Sequence, residues 1–468
     1  MKYDDIKGFI RRVEGLLEIT ALSLLYYGIY MLMYDGSRLS GDNSIGRFFI
    51  IPVYWLLLLI LFFLCDALKY GHLKLIYVYS SQIVSLFLVN AITYFQLCMI
   101  ANDMLSVWPM VALTAADLVL SFAFVYFYTR LYHRLYVPRN MVMIYGTENA
   151  VTLKFKMNSR SDIYRVNEII SCDMSEAELR KAILEHDAVV INDVPAERRN
   201  DILKYCHEHS VRTYVVPKIS DIITRGADEI TLFDLPLLLV KGTKITLPQR
   251  IVKRAFDLAL STIALVALSP LMAVIAIAIK VCDGGPVFYK QRRVTKNSRE
   301  FEMLKFRSMI VNAEKMGVST LAETDDPRIT PVGKVLRATR MDELPQLINI
   351  IKGEMSIVGP RPEQVGYVKE YTQKIPEFSY RLKVKGGLTG YAQIYGKYNT
   401  DPYDKLRLDL IYIENYSLLL DIKLILMTIP IMLRKESTEG IDVSKDRKKR
   451  AREFLRNAEA PDDPSSAA

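Results

Sequence analysis

The chain has 468 residues, of which 51% are hydrophobic, and a formal net charge of +9. That length has room for roughly three domains, and the positive balance suits an anionic membrane surface, nucleic acid or phosphorylated substrates without choosing among them. Its five cysteines (Cys65, Cys98, Cys172, Cys206, Cys282) are scattered, with no Cys-x-x-Cys pair; this argues against a zinc site or a disulfide framework and for reduced thiols facing the cytosol.

The apolar residues come in blocks. Four near the N-terminus, at about 15–33, 48–66, 76–100 and 105–128, reach the ~20 residues a helix needs to cross a bilayer. The first is too long for a signal peptide and lacks a small-x-small cleavage site, so it is expected to be retained. Basic residues cluster at Lys2, Lys7, Arg11 and Arg12, at Lys69 and Lys74, and at Arg130, Arg134 and Arg139. The intervening loops hold only Arg38 and Arg47, so both ends of a bundle spanning 1–135 are expected in the cytoplasm.

Residues 136–245 change character. Met141–Tyr145, Ala188–Asn192 and Val211–Val216 are strand candidates, with helices expected at Ser175–Glu185 and Ala196–His209. Strand, helix, strand at this spacing implies a parallel, Rossmann-like α/β accessory domain. Its first loop, Gly146-Thr-Glu-Asn-Ala150, departs from the G-x-G-x-x-G fingerprint. Glu148 puts a carboxylate where a pyrophosphate must approach, so no bound nucleotide is expected.

A further apolar run, 256–278, is interrupted by Ser269-Pro270 and flanked by Arg250, Lys253 and Arg254 on one side and Lys280, Lys290, Arg292 and Arg293 on the other. A straight span would translocate one basic cluster. A helix–break–helix that enters and leaves on the same face satisfies both flanks, with Ser269 and Pro270 as the structural break. Residues 246–436 then form a third domain. Ser417–Leu433 is apolar but carries Asp421 and Lys423, which suits the membrane interface better than a span. The charged end, 437–468, reads as disordered.

Within the third domain, Lys305-Phe-Arg307 sets two cations one residue apart, a pattern that can grip a diphosphate but also occurs on solvated strand faces. Asp342 and Glu343 follow Arg337 and Arg340 and precede the turn Pro360-Arg361-Pro362. An Asp at a helix start is commonly only an N-cap. Glu343 beside it and the surrounding arginines favour phosphoryl chemistry, in which a carboxylate attacks phosphorus or holds Mg2+.

These pieces together resemble the bacterial sugar transferases. The resemblance runs from about Lys253 to Leu433, through Lys253-Arg-x-Phe-Asp257, Ser269-Pro270, Gly285-Pro-Val-Phe, Gln291-x-Arg293, Lys305-Phe-Arg-Ser-Met309, Asp342-Glu-Leu-Pro-Gln346, Val358-Gly-Pro-Arg-Pro362, Gly387-Leu-Thr-Gly390 and Asp409-x-x-Tyr412 with Asn415. Val294-Thr295 departs from the Gly that many members carry, and only a local loop change is expected there.

The resemblance implies a membrane protein of the bacterial inner membrane: a four-helix bundle, a Rossmann-like domain, and a catalytic α+β domain facing the cytoplasm. It implies transfer of a sugar 1-phosphate from a UDP-sugar to undecaprenyl phosphate, the first membrane step of exopolysaccharide, capsule or O-antigen synthesis, through a covalent aspartyl-phosphosugar intermediate. Asp342 would be the nucleophile and Glu343 its partner. Both would bind Mg2+ or Mn2+, and Lys305, Arg307, Arg337 and Arg361 would contact phosphate. Membrane lipids and a second copy of the chain, as a homodimer, are the other expected partners. No nucleic-acid module is visible. The sugar is not legible, and removal of residues up to about Leu247 is expected to leave the catalytic residues intact, at a cost to stability or self-association.

Two rivals remain on sequence alone. A membrane-tethered nucleotide-sugar dehydratase or dehydrogenase would need an intact glycine-rich loop and a Tyr-x-x-x-Lys pair. A non-enzymatic scaffold would leave Asp342, Glu343 and their arginines unexplained.

Overall fold

The computed structural model describes residues 2–34, 44–146, 150–242, 245–311, 328–396 and 400–432. Glu148 and the tail 437–468 lie outside them. The chain divides into two compact units, one formed by residues up to Val137 with Leu426–Ile431, the other by the remainder.

The first unit holds four helices: α1 (Lys2–Met33), α2 (Ser44–Leu64), α3 (Leu75–Ala101) and α4 (Trp108–Leu135). At 1.5 Å per residue, α2, the shortest, extends about 31 Å, enough for a bilayer core. Ile19, Leu22, Leu58, Phe62, Leu86 and Leu113 fill the centre, while Phe63, Phe95 and Phe127 point outward. Polar side chains are turned inward and bonded to one another. Tyr54 donates to Asn90 at 2.8 Å, Asn90 donates to Asp117 at 2.9 Å, and Gln82 donates to Glu18 at 3.1 Å. Apolar outside and polar bonds inside is the arrangement that lipid imposes on a helix bundle.

The second unit begins with β1 (Arg139–Tyr145), α5 (Ala150–Asn158), β2 (Tyr164–Ser171), α6 (Glu176–Glu185), β3 (Ala188–Asn192), α7 (Ala196–Glu208) and β4 (Arg212–Val215). The strands form a parallel sheet in the order β2-β1-β3-β4. The anticipated strands and helices are present, and α5 and β2 are additional. The uneven burial of β2 explains why it carries no clear period-two signal: Val166 and Ile170 are its only fully buried residues. Ser175 starts α6, its hydroxyl accepting from the Glu178 amide at 3.3 Å.

Two further elements of this region were not anticipated. Helix α8 (Ile219–Arg225) is joined to the α/β domain through Asp221, which pairs with Arg199 at 2.6 Å. Its Ile219 and Ile222 nevertheless belong to the core of the following domain, with Leu406, Leu410 and Ile413. The hairpin β5 (Asp228–Leu232) and β6 (Leu235–Leu239) is exposed along its whole length.

Helix α9 (Leu247–Asp283) corrects the expected 256–278 boundaries: it is one helical run of 37 residues that continues through Pro270, so the chain does not leave the helix at Ser269-Pro270. Thr246 caps its start, paired with Gln249 in a reciprocal box. Near Pro270, the Ser269 hydroxyl donates to the Val266 carbonyl at 2.8 Å. Both ends of α9 meet the same domain. Asp257 accepts from Ser356 at 2.7 Å and from the Ile357 amide at 3.1 Å, while Ile275 and Ile279 pack on Phe306 and Leu336.

The rest of the domain comprises the antiparallel pair β7 (Phe288–Val294) and β8 (Glu300–Phe306), α10 (Pro331–Ala338), a 3-10 turn at Met341–Glu343, α11 (Gln346–Lys352), β9 (Ser356–Val358), α12 (Val365–Lys374), β10 (Gly387–Thr389) parallel to β9, α13 (Tyr391–Tyr395), α14 (Pro402–Glu414) and α15 (Leu418–Met432). In α15, Asp421 is buried and held by Lys253 at 2.7 Å and by the Tyr412 hydroxyl at 2.8 Å. Its charge is therefore satisfied inside the domain rather than by the membrane interface.

The sharing of core between α8 and α14 gives a physical source for the stability cost expected of the truncation. A chain starting at Pro217 keeps Ile219 and Ile222; one starting at Thr246 uncovers Leu406, Leu410 and Ile413. Loss of two buried isoleucines costs about 2–5 kcal/mol each. The longer piece is expected to melt well above the shorter one in detergent, and equal melting temperatures would show that α8 contributes nothing to the domain.

Candidate active site

The site is built where α10 turns into α11. Thr330 caps α10, its hydroxyl accepting from the Gly333 amide at 3.0 Å. Past Thr339, Arg340 adopts a left-handed backbone, φ 55°. A non-glycine residue there is uncommon, and such outliers cluster at functional sites. It redirects the chain into the Met341–Glu343 turn, which packs beside β8. Asn349 of α11 fixes that distance: its side chain accepts from the Leu304 amide at 2.9 Å and donates to the Glu302 carbonyl at 2.8 Å.

Four of the six residues singled out from sequence converge here. Glu343 is gripped by Arg361 at 2.5 Å and by Lys305 at 3.1 Å. Asp342, only 8% exposed, lies 3.8 Å from Lys305 Nζ, outside hydrogen-bond distance. Burial pushes the Glu343 carboxyl up, but Arg361, Lys305 and Arg340 outweigh it and hold the group well below the usual range. Burial raises Asp342, opposed by Lys305 and reinforced by the Glu343 charge. Two adjacent carboxylates thus have different surroundings: one is locked in an ion pair, the other lies near cations beyond hydrogen-bond distance.

The other two behave differently. Arg337 sits half-buried on α10, and its charge favours the ionised form of Asp342. Arg307 is buried and turned toward Asp283 at the end of α9. Gly285 makes room for it, because a Cβ there would collide with Arg307 Nη1. That Nη1 is buried without a hydrogen-bond partner among the described residues. Ser269 and Pro270 lie within α9, apart from this cluster.

Behind the site is a frame that sequence reasoning only partly identified. Arg381 donates to the Arg361 carbonyl at 2.9 Å, and Arg293 donates to the Pro362 carbonyl at 2.9 Å. Glu363 accepts from Lys405 at 3.0 Å. The Pro-Arg-Pro turn is therefore anchored at three successive residues, which fixes where Arg361 emerges. Burial raises the Glu363 carboxyl, but Arg381, Lys405 and Arg293 bring it down to about 2. Asp409 of α14 closes the frame with a buried ion pair to Arg381 at 2.8 Å. Glu363 and Arg381 carried no signal, since the partners are separated by tens of residues. Arg254 donates to the Ile350 and Ile351 carbonyls at 2.7 and 2.8 Å, capping α11. The departure at Val294-Thr295 is also structural: the Thr295 hydroxyl donates to the Glu354 carbonyl at 2.9 Å and accepts from the Gly386 amide at 3.1 Å.

No group of three or more His, Cys, Asp or Glu side chains is placed to hold a metal among the described residues. Mg2+ needs only one or two protein carboxylates, with the substrate's phosphate oxygens completing its shell; Asp342 has room for that role, and Glu343 would share its oxygens between the metal and Arg361 and Lys305. The pair does not fit a metal that needs a full protein cage.

A family model described as "Bacterial sugar transferase" matches residues 248–435. The chain is 37% identical over 257 residues to the UDP-N-acetylgalactosamine-undecaprenyl-phosphate N-acetylgalactosaminephosphotransferase of Aeromonas hydrophila, covering 53% of this chain and 60% of that protein. It is 38% identical over 244 residues to the UDP-glucose:undecaprenyl-phosphate glucose-1-phosphate transferase of Escherichia coli (strain K12), covering 49% of this chain and 51% of that protein. Exopolysaccharide production protein ExoY of Sinorhizobium fredii is 40% identical over 192 residues, 38% of this chain and 84% of that protein. The chain spans just over half the length of the first two relatives.

Proposed function

Because the chain belongs to the bacterial sugar transferase family, we propose that it transfers a sugar 1-phosphate from a UDP-sugar to undecaprenyl phosphate, giving an undecaprenyl diphosphate sugar and UMP. The observation that carries this reading is the division of labour between Asp342 and Glu343. Among the described residues, a buried carboxylate stands free of hydrogen bonds beside Lys305, while its neighbour anchors Arg361.

In the first step an Asp342 oxygen attacks the β-phosphorus of the donor. The bond from that phosphorus to the bridging oxygen breaks, and UMP leaves with the oxygen and its electron pair. In the second step an oxygen of undecaprenyl phosphate attacks the same phosphorus, the acyl–phosphate bond breaks, and the Asp342 carboxylate is regenerated. Splitting the transfer lets an aqueous and a lipid substrate use one site in turn. Lys305 and Arg361 offset charge on the transferring phosphoryl group, and Glu343 keeps both cations in place. Mg2+ held by Asp342 and Glu343 would withdraw charge from the donor diphosphate. Arg307, with an uncommitted Nη1, is a further phosphate contact.

The reading also places the catalytic domain on the cytoplasmic face of the inner membrane, where UDP-sugars are made, with the α/β domain as a Rossmann-like accessory that holds no nucleotide. We take α9 to kink at Ser269-Pro270, dipping into the bilayer and returning while its helical run continues through the kink. Asp257 near one end and Ile275–Asp283 near the other contact a single folded domain. A straight crossing would separate those ends by about 39 Å, on opposite faces. Cysteines placed at Gly242 and Arg299 in a cysteine-free chain are both expected to react with impermeant reagents only from the cytoplasmic side. Reaction of the Arg299 site from outside would overturn both the topology and the enzymatic reading. For the reaction itself, purified protein with undecaprenyl phosphate, Mg2+ and a panel of UDP-sugars is expected to release UMP from at least one. No release from any would count against it.

A further inference from the structure

We propose that the core of the helix bundle holds an alkali cation on Asp117, with the hydroxyls of Thr93 and Tyr26 as further ligands. Tyr54 of α2, Asn90 of α3 and Asp117 of α4 each stand near the middle of their helix, the depth at which a carboxylate is most costly and most often functional. Asp117 is fully buried. Among the described residues no lysine, arginine or histidine pairs with it, and the groups that reach it, Tyr54 and Asn90, are neutral.

The donors around Asp117 are spent on one of its oxygens. Asn90 uses one amide N–H on Asp117 Oδ2 at 2.9 Å and the other on Thr114 at 2.9 Å. The single proton of the Tyr54 hydroxyl is shared between Asn90 Oδ1 at 2.8 Å and Asp117 Oδ2 at 3.2 Å. Asp117 Oδ1 is buried with no partner. Two more buried oxygens in this region share that state, Thr93 Oγ1 and Tyr26 Oη. Thr93 lies one turn beyond Asn90 on the same buried face of α3. The Tyr26 ring stacks on Tyr54 with centroids 4.2 Å apart. Three oxygens that share a buried neighbourhood but stop short of one another call for a small body between them, since buried polar groups are otherwise bonded.

Charge selects that body. A water molecule could join the three oxygens but would leave the carboxylate uncompensated. A proton on Asp117 Oδ2, donated to Tyr54, would remove the charge but leave the three oxygens unjoined. A cation does both. A single carboxylate balances one charge, whereas divalent ions prefer several hard ligands with more negative charge among them. The occupant is therefore monovalent, with water that enters beside it completing the shell. Polar side chains lead to it. Ser121, one turn along α4 from Asp117, donates to Gln82, and Gln82 donates to Glu18 at 3.1 Å. Tyr70, in the loop between α2 and α3, also donates to Glu18. This row gives an ion a polar route from that loop toward the site.

The chain's two tryptophans, Trp55 and Trp108, both belong to the bundle, so their fluorescence reads its unfolding apart from the other domains. The full chain in detergent would be melted in NaCl, KCl and choline chloride at one ionic strength, which holds screening constant. Sodium or potassium is expected to raise the melting temperature above that in choline, saturably, by mass action. Equal melting in all three salts overturns the proposal. Asp117→Asn is expected to abolish the alkali response and, in choline, to melt no lower than wild type, because it sheds a buried charge. If it melts lower by the same amount in every salt, Asp117 supplies a hydrogen bond only, and the proposal falls. Glu18→Gln removes the bundle's other carboxylate without exposure and is expected to leave the response intact; loss of the response there would place the ion elsewhere and overturn the site. Should Asp117→Asn fail to fold, Thr93→Val keeps the side-chain shape and removes one oxygen. It is expected to raise the alkali concentration needed for half the effect, and an unchanged midpoint counts against the site. A wild type that ignores alkali ions but gains stability on acidification in choline makes the occupant a proton and overturns the cation. None of these readouts depends on the reaction proposed above.

Discussion

Asp342→Asn is expected to lower turnover at least ~1000-fold, about 4 kcal/mol of barrier, with little change in melting temperature. The amide matches the carboxylate in shape, and at 3.8 Å from Lys305 it breaks no hydrogen bond. What it loses is the ability to form the acyl–phosphate bond, a transition-state interaction, so the loss falls on kcat rather than on donor binding. Glu343→Gln acts by another route. It releases Arg361 and Lys305 from their anchor, so KM for the donor is expected to change together with kcat. Residual transfer by Asp342→Asn above about a tenth of wild type, roughly 1.4 kcal/mol, would remove Asp342 as the nucleophile. The wild-type pH profile gives a second check. Burial raises the Asp342 carboxyl and the Glu343 charge reinforces the shift, so activity is expected to fall on acidification at a pH above the ordinary aspartate range.

Much of this site was legible because its chemistry is local in sequence. Asp342 and Glu343 are adjacent, Arg361 sits between two prolines, and Lys305 is one residue from Arg307. What was not legible is long-range. Nothing in the run Lys305-Phe-Arg307 shows that one cation faces the carboxylates while the other turns to Asp283. Period-two alternation separates strand faces, yet two residues apart on one face can still serve different neighbours. Motif residues such as Asp257, Arg254 and Asp409 stood out by resemblance. Their duties appear only in the fold: Asp257 holds β9, Arg254 caps α11, and Asp409 anchors Arg381.

The fold follows the same division. The bundle helices were visible as long apolar blocks, because lipid demands a continuous signal. Helix α8 was missed because seven residues hold barely two turns, and its isoleucines pack on a domain nearly two hundred residues away. An interruption of the helix at Ser269-Pro270 was too strong an inference from one proline: a missing N–H can kink a long helix without ending it, because the remaining bonds persist.

Arg381→Met is expected to destabilise the catalytic domain by about 3–5 kcal/mol, the cost of leaving a buried charge without its partner. Arg381 and Asp409 are 2% and 1% exposed, and the guanidinium also serves Glu363 and the Arg361 carbonyl. The pH dependence has a definite sign. In the wild type, Glu363 is depressed to about 2, so it contributes stability that is present above its unfolded pKa and lost as pH falls toward 2; the size is about 3 kcal/mol. Asp409 is already raised by burial, with Arg381 opposing. Removing that cation raises it further, so its protonated form becomes the folded one. The stability of such a group is present below the unfolded pKa and lost as pH rises through the folded one. Arg381→Met should therefore be most damaged near neutrality and regain part of the deficit on acidification, beginning at a higher pH and by a larger amount than the gain that the raised Asp409 gives the wild type. Arg381→Met combined with Asp409→Leu removes both charges and should recover much of the loss, since an apolar replacement of a buried pair is often neutral. Stability alone would leave activity unexplained, so the double variant carries the decisive readout. If it folds with near-wild-type stability but transfers poorly, with kcat reduced more than KM is raised, Arg381 positions Arg361 for catalysis. If it folds and transfers normally, the turn holds itself, and the frame behind it serves stability only.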